Sequence, residues 1–210
     1  MKLLACPKCH QQLHLENKTL KCENNHCYDI SKRGYINLLL NPDKATNNPG
    51  DSKESLVARK AYLNKGYYDP ILNQVITCID EFKHQDDLSI LDLGCGEGYY
   101  TQGLKKHFEN SDIYGLDISK IAIDMATRYR KDVTWLVGNS KNIPILDHSL
   151  DFICALFTVV NQDELKRALK EDGYIVHVTA NNQHLIEIKE LIYDEIKVKS
   201  DKYILSLIHI

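Results

Sequence analysis

The stretch Ile90 to Gly98, ILDLGCGEG, constrains this chain more than any other: an apolar strand runs straight into a turn with glycine at every second position, Gly94, Gly96 and Gly98. Small residues there let the backbone turn sharply and approach a ligand closely. A helical pattern opens at Tyr99, and Asp117 follows 19 residues after Gly98 at the end of the next apolar strand. A glycine pattern alone is a weak signal, but strand, turn, helix, strand and acidic residue in that order mark a nucleotide-type binding crossover.

The same rhythm continues downstream. The pattern predicts strands over 89–93, 112–116, 134–137, 150–155 and 174–179, and helices over 99–108, 120–130 and 162–169. Parallel neighbours require a crossover, so the expected fold is α/β and Rossmann-like, a mostly parallel sheet with helices on both faces. Upstream, apolar residues at helical spacing predict helices over 54–65 and 69–83, broken at Gly66.

The chemistry of the glycine turn argues against a dinucleotide. A pyrophosphate would sit on a helix N-terminus behind G-x-G-x-x-G, whereas here G-x-G-x-G is preceded by Asp92 and contains Glu97, whose charges repel phosphate. They suit a ligand with a sulfonium and an amino group, as in S-adenosylmethionine. Asp117 is then expected to accept from the ribose hydroxyls, with Asn139 and Ser140 at the adenine edge; the competing reading of Asp117 is an ordinary helix cap before Ser119.

Residues 1–40 are short apolar pieces broken by Cys, His and Asn, too small to hold a core unaided. Cys6-x2-Cys9, a 12-residue spacer and Cys22-x3-His26 offer three thiolates and an imidazole, a donor set suited to structural, tetrahedral zinc. On spacing alone Cys27 competes with His26 for the fourth place, and His10 and His14 lie close by. Residues 41–53, NPDKATNNPGDSK, read as a linker or a substrate-covering loop. The expected organisation is a zinc-binding module over 1–40, a linker and helical segment over 41–68, and an S-adenosylmethionine-binding domain over 69–210.

Seven cysteines, four of them within the first 27 residues, point to metal ligands in a reducing cytoplasm rather than to disulfides. No apolar run approaches the ~18–20 residues of a membrane span, and the five residues before Cys6 leave no room for a signal peptide, so neither membrane nor export is expected. Residues 1–65 carry 11 Lys/Arg against 6 Asp/Glu, and the remainder 15 against 23. A basic module on an acidic body is compatible with a phosphate-rich partner, although a solvated surface accounts for the charge equally well.

Taken together, CPKC, CENNHCYDISKRGYINLLL, NPGDS, ARKAYLNKGYYDP and LDLGCGEGYYT resemble the 23S ribosomal RNA guanine-N1 methyltransferases, the RlmA family, from residue 6 to about 195. The resemblance implies methylation of a guanine N1 in a hairpin of large-subunit ribosomal RNA, a zinc module that helps to grip RNA, and a homodimer forming the cleft. It implies cofactor contacts at Tyr68, at the Gly96–Glu97 turn and at His184, and it selects His26 over Cys27 as the fourth metal ligand.

The chain departs from the family pattern at two places. Leu156 to Asn161 lacks the proline-containing segment that members carry over the substrate pocket, and the C-terminus stops short, as though truncated. Residues 196–210 are expected to supply at most one of two closing antiparallel strands, leaving an exposed edge. Guanine N1 must lose a proton during transfer, and His177, Asn161 and His184 are the polar candidates, none singled out as a base. Tyr99, Tyr100 and Phe157 are candidates for stacking on a base drawn out of its helix. The rival readings are a methyltransferase for a small molecule or protein, and a non-catalytic RNA-binding protein that kept the fold.

Overall fold

The computed structural model describes residues 1–40, 50–181, 186–192 and 206–209. Three short strands, β1 (His14–Glu16), β2 (Thr19–Lys21) and β3 (Cys27–Asp29), form an antiparallel N-terminal sheet in the order β1-β2-β3. The β1–β2 turn is the pair Asn17-Lys18, with Asn17 at φ 60°, a left-handed conformation that asparagine tolerates.

The second sheet has seven strands: β4 (Ile36–Asn37), β5 (Ser89–Leu93), β6 (Asp112–Asp117), β7 (Thr134–Val137), β8 (Leu150–Leu156), β9 (Leu169–Val178) and β10 (Ser206–His209). Their order is β10-β9-β8-β5-β6-β7-β4, parallel throughout except where β10 pairs with β9. The chain builds outward from β5 through β6 to β7, then returns to the other side of β5 for β8 and β9. Strand order therefore reverses between β5 and β8, and a crevice opens beyond their C-terminal ends.

Among the described residues six helices accompany the sheet: α1 (Lys53–Leu63), α2 (Asp69–Phe82), α3 (Tyr99–His107), α4 (Lys120–Ala126), α5 (Gln162–Ala168) and α6 (Ile186–Ile192). The Ser52 hydroxyl caps α1 by accepting from the Ser55 amide at 3.2 Å, and Gly66, at φ 81°, separates α1 from α2. Among the described residues no helix is long and apolar enough to cross a membrane.

The strands divide their apolar side chains between two cores. Ile90, Ile113, Trp135, Phe152 and Val176 pack with residues of α2, α3 and α4, including Val75, Ile79, Leu104 and Ile123. On the opposite face Leu91, Leu93, Leu116, Leu136 and Ile153 pack with Leu165 and Ala168 of α5 and with Leu4, Leu13, Leu20 and Ile36 of the N-terminal segment. That segment thus covers sheet that helices alone would otherwise cover, and its few apolar residues join a core far larger than they could form by themselves.

Helix α4, strand β9 and strand β4 depart most from the sequence pattern. Helix α4 ends at Ala126 because the chain turns back so that the Arg130 carbonyl accepts from the Trp135 indole N–H at 2.8 Å, while the Arg130 side chain grips Asp132. Strand β9 starts at Leu169, with a register irregularity against Leu150 and Phe152. Strand β4, from a run that reads only as apolar, pairs with Leu136 and Val137 and becomes the sheet's edge.

Candidate cofactor site and metal centre

The N-terminal ligand set converges as its spacing suggests. Cys6, Cys9, Cys22 and His26 hold their donor atoms within 4.8 Å of one another, with Sγ to Nδ1 distances of 3.4, 3.5 and 3.4 Å from Cys6, Cys9 and Cys22 to His26 and 3.7 Å between Cys9 and Cys22 sulfurs. A tetrahedron with zinc–ligand bonds of ~2.0–2.3 Å has edges of roughly 3.5–3.8 Å, so the cluster fits the ion in size as well as in donor chemistry. Cys27 is exposed, with its sulfur 3.4 Å from the Asn25 carbonyl, and takes no part. The Tyr28 hydroxyl, 3.3 Å from Cys6 Sγ, is placed to steady that thiolate.

At the end of β5, Gly94 takes φ 74° and Gly96 φ 56°, and a Cβ added to Gly94 would collide with the Thr158 side chain. The turn is held by Asp117 at the end of β6. Asp117 Oδ2 accepts from the Gly96 amide at 2.9 Å and Oδ1 from the Ser119 amide at 2.7 Å. Ser119 itself caps α4, so the cap role considered for Asp117 belongs to its neighbour. Each Asp117 oxygen retains acceptor capacity for a ligand hydroxyl.

Two hollows flank this turn, with Gly94 in the wall of both. The smaller, about 120 Å³, is lined by Leu116, Asp117, Gly138, Asn139, Ser140 and Thr158. The larger, about 530 Å³, lies under α1 and is lined by Arg59, Tyr62, Tyr68, Gly96, Glu97, Tyr99, Tyr100 and Phe157. Tyr68 stands edge-on to Phe157, centroids 6.1 Å apart, and to Tyr62 at 6.0 Å. Phe157 holds φ 56°, an outlying conformation for a bulky side chain, and leaves 45% of its surface exposed. The buried Tyr100 hydroxyl in the same wall has no partner among the described residues.

Three carboxylates crowd the site. Asp92, 1% exposed, accepts from the Thr101 hydroxyl at 2.5 Å beneath the glycine turn and does not line either hollow. Burial, with the Asp117 and Glu97 charges adding to it, pushes Asp92 up to about 7. Glu97, 4% exposed, is also raised by burial, against the opposing pull of Lys60, whose Nζ lies 3.8 Å away, and of Arg59. Asp117 is raised by burial despite its two backbone donors. A concentration of buried negative charge of this kind favours a cationic occupant and repels phosphate.

The structure therefore brings Tyr68, Gly94, Gly96, Glu97, Asp117, Asn139 and Ser140 to the two hollows, with Gly98 at the N-terminus of α3 and Asp92 supporting from below. His184 lies outside the described residues. Asn161 is committed to capping α5, its Oδ1 accepting from Asp163 and Glu164, and His177 is buried in β9, its pKa lowered by burial. Arg59, Lys60 and Tyr62 were not singled out by the sequence; only their helical spacing beside Tyr68 could have signalled them.

Similarity to known proteins agrees with this geometry. The family model described as the N-terminal region of RlmA, a zinc ribbon, matches residues 4–45, and the model described as a methyltransferase domain matches residues 90–173. YxjB of Bacillus subtilis, named as a putative 23S rRNA (guanine-N(1)-)-methyltransferase, is 30% identical over 200 residues, covering 92% of this chain and 70% of that protein. The 23S rRNA (guanine(748)-N(1))-methyltransferase of Streptomyces fradiae is 29% identical over 190 residues, 90% of this chain and 67% of its own. The Haloferax volcanii methyltransferase solved with the Trm112 activator shares the fold, with a TM-score of 0.53, 22% identity and 71% of each chain covered. S-adenosylmethionine is the cofactor of this fold and zinc the metal of the Cys/His cluster. With a 30% identical relative aligned across most of both proteins, and a zinc ribbon and a methyltransferase domain both matched, the chain belongs to the 23S rRNA (guanine-N1) methyltransferase family.

Proposed function

We propose that this protein transfers the methyl group of S-adenosylmethionine to N1 of a guanine in a hairpin of large-subunit ribosomal RNA, in the cytoplasm and as a homodimer. The observation that carries the reading is the packing of a Cys3His module against the sheet whose strand-order reversal holds a carboxylate-rich, two-part hollow. The organisation we propose is a zinc module over 1–40, a connecting segment over 41–68 and the cofactor-binding domain over 69–210.

When bound, S-adenosylmethionine supplies a methyl group activated by its sulfonium. Asp117 takes the ribose hydroxyls on the lone pairs left by Gly96 and Ser119, and Asn139 and Ser140 meet the adenine in the smaller hollow. Gly94, Gly96 and Gly98 let the backbone come close, Glu97 takes the amino group, and Asp92 holds the turn through Thr101. Tyr68 lines the methionine side, and His184 joins the set on family resemblance alone.

A guanine stacked in a duplex is out of reach, so the target enters the larger hollow unstacked and rests against Phe157 and the tyrosines of its wall. What these side chains would contribute is alignment of the base and exclusion of water, with the guanine N1 proton released as the methyl group is taken up.

The test is transfer of labelled methyl groups by the zinc-loaded protein to unmodified 23S rRNA, with transfer RNA, bulk protein and small-molecule acceptors in parallel. Label confined to 23S rRNA supports the reading. Label in another acceptor, or cofactor binding with no transfer at all, contradicts it.

A further inference from the structure

Helix α1 rests on the domain through Leu56 and Leu63, both buried. Arg59 and Lys60, three and four residues on from Leu56, share that inward side. Lys60 is committed within the protein, its Nζ 3.8 Å from Glu97 and 3.4 Å from the centroid of the Tyr129 ring. Arg59 is held differently. It is one of the residues lining the larger hollow, and its guanidinium pairs with Asp51 at 2.6 Å, with both side chains about half exposed. An ion pair so open to water contributes little and exchanges readily.

Among the described residues lining that hollow, Arg59 carries the single formal positive charge and Glu97 the single formal acidic one. The amino-acid tail of S-adenosylmethionine presents one ammonium and one carboxylate. We infer that Arg59 leaves Asp51 on cofactor binding and takes the tail carboxylate, so that Arg59 and Glu97 together recognise the zwitterion and Asp51 acts as the resting partner of the guanidinium. The planar fork of arginine suits a carboxylate in two parallel hydrogen bonds, which a lysine could not reproduce. This assignment rests on the cofactor reading given above.

The experiment is calorimetric titration of the zinc-loaded full chain and its variants with S-adenosylhomocysteine and with 5′-methylthioadenosine, which keeps the nucleoside and sulfur but lacks the amino-acid tail. Arg59→Ala should weaken S-adenosylhomocysteine about 10- to 50-fold while leaving methylthioadenosine within about twofold, and Arg59→Lys should recover part of the loss. Asp51→Asn, which frees the guanidinium, should tighten S-adenosylhomocysteine about two- to threefold without affecting methylthioadenosine. Circular dichroism of each variant secures the comparison, and the gain expected of Asp51→Asn cannot arise from misfolding. Equal losses for both ligands, or no loss for either, would overturn the assignment. It fails equally if Arg59→Ala spares S-adenosylhomocysteine and weakens only RNA binding, because the guanidinium would then serve a phosphate. A wild-type chain that binds neither ligand would remove the cofactor reading itself.

Discussion

The Asn142 side-chain amide donates to the Pro7 carbonyl across 2.9 Å, tying the Cys6–Cys9 knuckle to the loop that begins with Asn139 and Ser140. The Ala5 amide donates to Pro144 at 3.0 Å and the Leu146 amide to Leu3 at 2.9 Å, so the first residues of the chain run beside that loop. From its other side Arg167 grips the same loop, donating to the Ile143 and Ile145 carbonyls and to Asp147 and Glu164. The metal module and the wall of the smaller hollow are one mechanical unit.

Zinc removal should therefore be felt at the cofactor. A ligand set this small loses its fold without the ion, and the Leu3 to Pro7 contacts go with it. Chelation, or Cys9→Ser, is predicted to weaken S-adenosylhomocysteine by roughly tenfold as well as to abolish metal binding. Titration of the metal-free and zinc-restored protein checks this, and unchanged affinity would mean that the module and the hollow are independent.

Asp117 closes the glycine turn, and in the proposed reading it also receives the ribose. Asp117→Asn keeps the size but removes the charge and turns one oxygen, which accepts from Gly96 or Ser119, into an NH2 group that cannot accept, at a cost of about 1.5–3 kcal/mol, or roughly 10- to 150-fold in cofactor affinity. Isothermal titration should register the loss for adenosine-containing ligands of every length, unlike the tail-selective effect expected at Arg59.

The buried carboxylates set a pH dependence with a definite sign. Asp92 is raised from 3.8 to about 7, so between those values the folded protein holds a proton that the unfolded chain has released. Stability of the ligand-free protein should fall as pH rises through that window, by on the order of 3–4 kcal/mol from this group, and Glu97 and Asp117 act in the same direction. Asp92→Asn, whose side-chain oxygen still accepts from Thr101, should flatten the fall in Tm between about pH 5 and pH 8. Equal slopes in wild type and variant would refute the assignment.

Phe157 occupies a backbone conformation better suited to asparagine. Phe157→Asn should leave stability unchanged or raise it by up to ~1 kcal/mol, while lowering turnover on RNA about tenfold through the lost aromatic surface. Thermal melts and single-turnover methylation measured side by side separate the two effects. A variant that is both markedly less stable and fully active would contradict the role given to this residue.

The Cys/His cluster and the glycine turn are legible in the sequence because each is compressed into a few neighbouring residues: Cys6 to Cys9, Cys22 to His26, and Asp92 to Gly98 with Asp117 one crossover later. Local spacing carries that information. What stayed hidden depends on distant pairing. Nothing local in Ile36–Asn37 says that it will lie beside Leu136 and Val137, and nothing in Leu4, Leu13 or Leu20 says that they will pave one face of the larger sheet. The place of Arg59 is hidden for the same reason, since only the packing of α1 over the glycine turn makes a charged helix residue part of a cavity wall.

Methylation at guanine N1 blocks reverse transcription, so the decisive measurement reacts the zinc-loaded protein with S-adenosylmethionine and unmodified 23S rRNA and locates the product by primer extension. The expected result is a single new stop at a guanine in a hairpin, N1-methylguanosine in the nuclease digest, and loss of both with Asp117→Asn at limiting cofactor. Methyl groups found on another base, another guanine atom or another class of acceptor would contradict it.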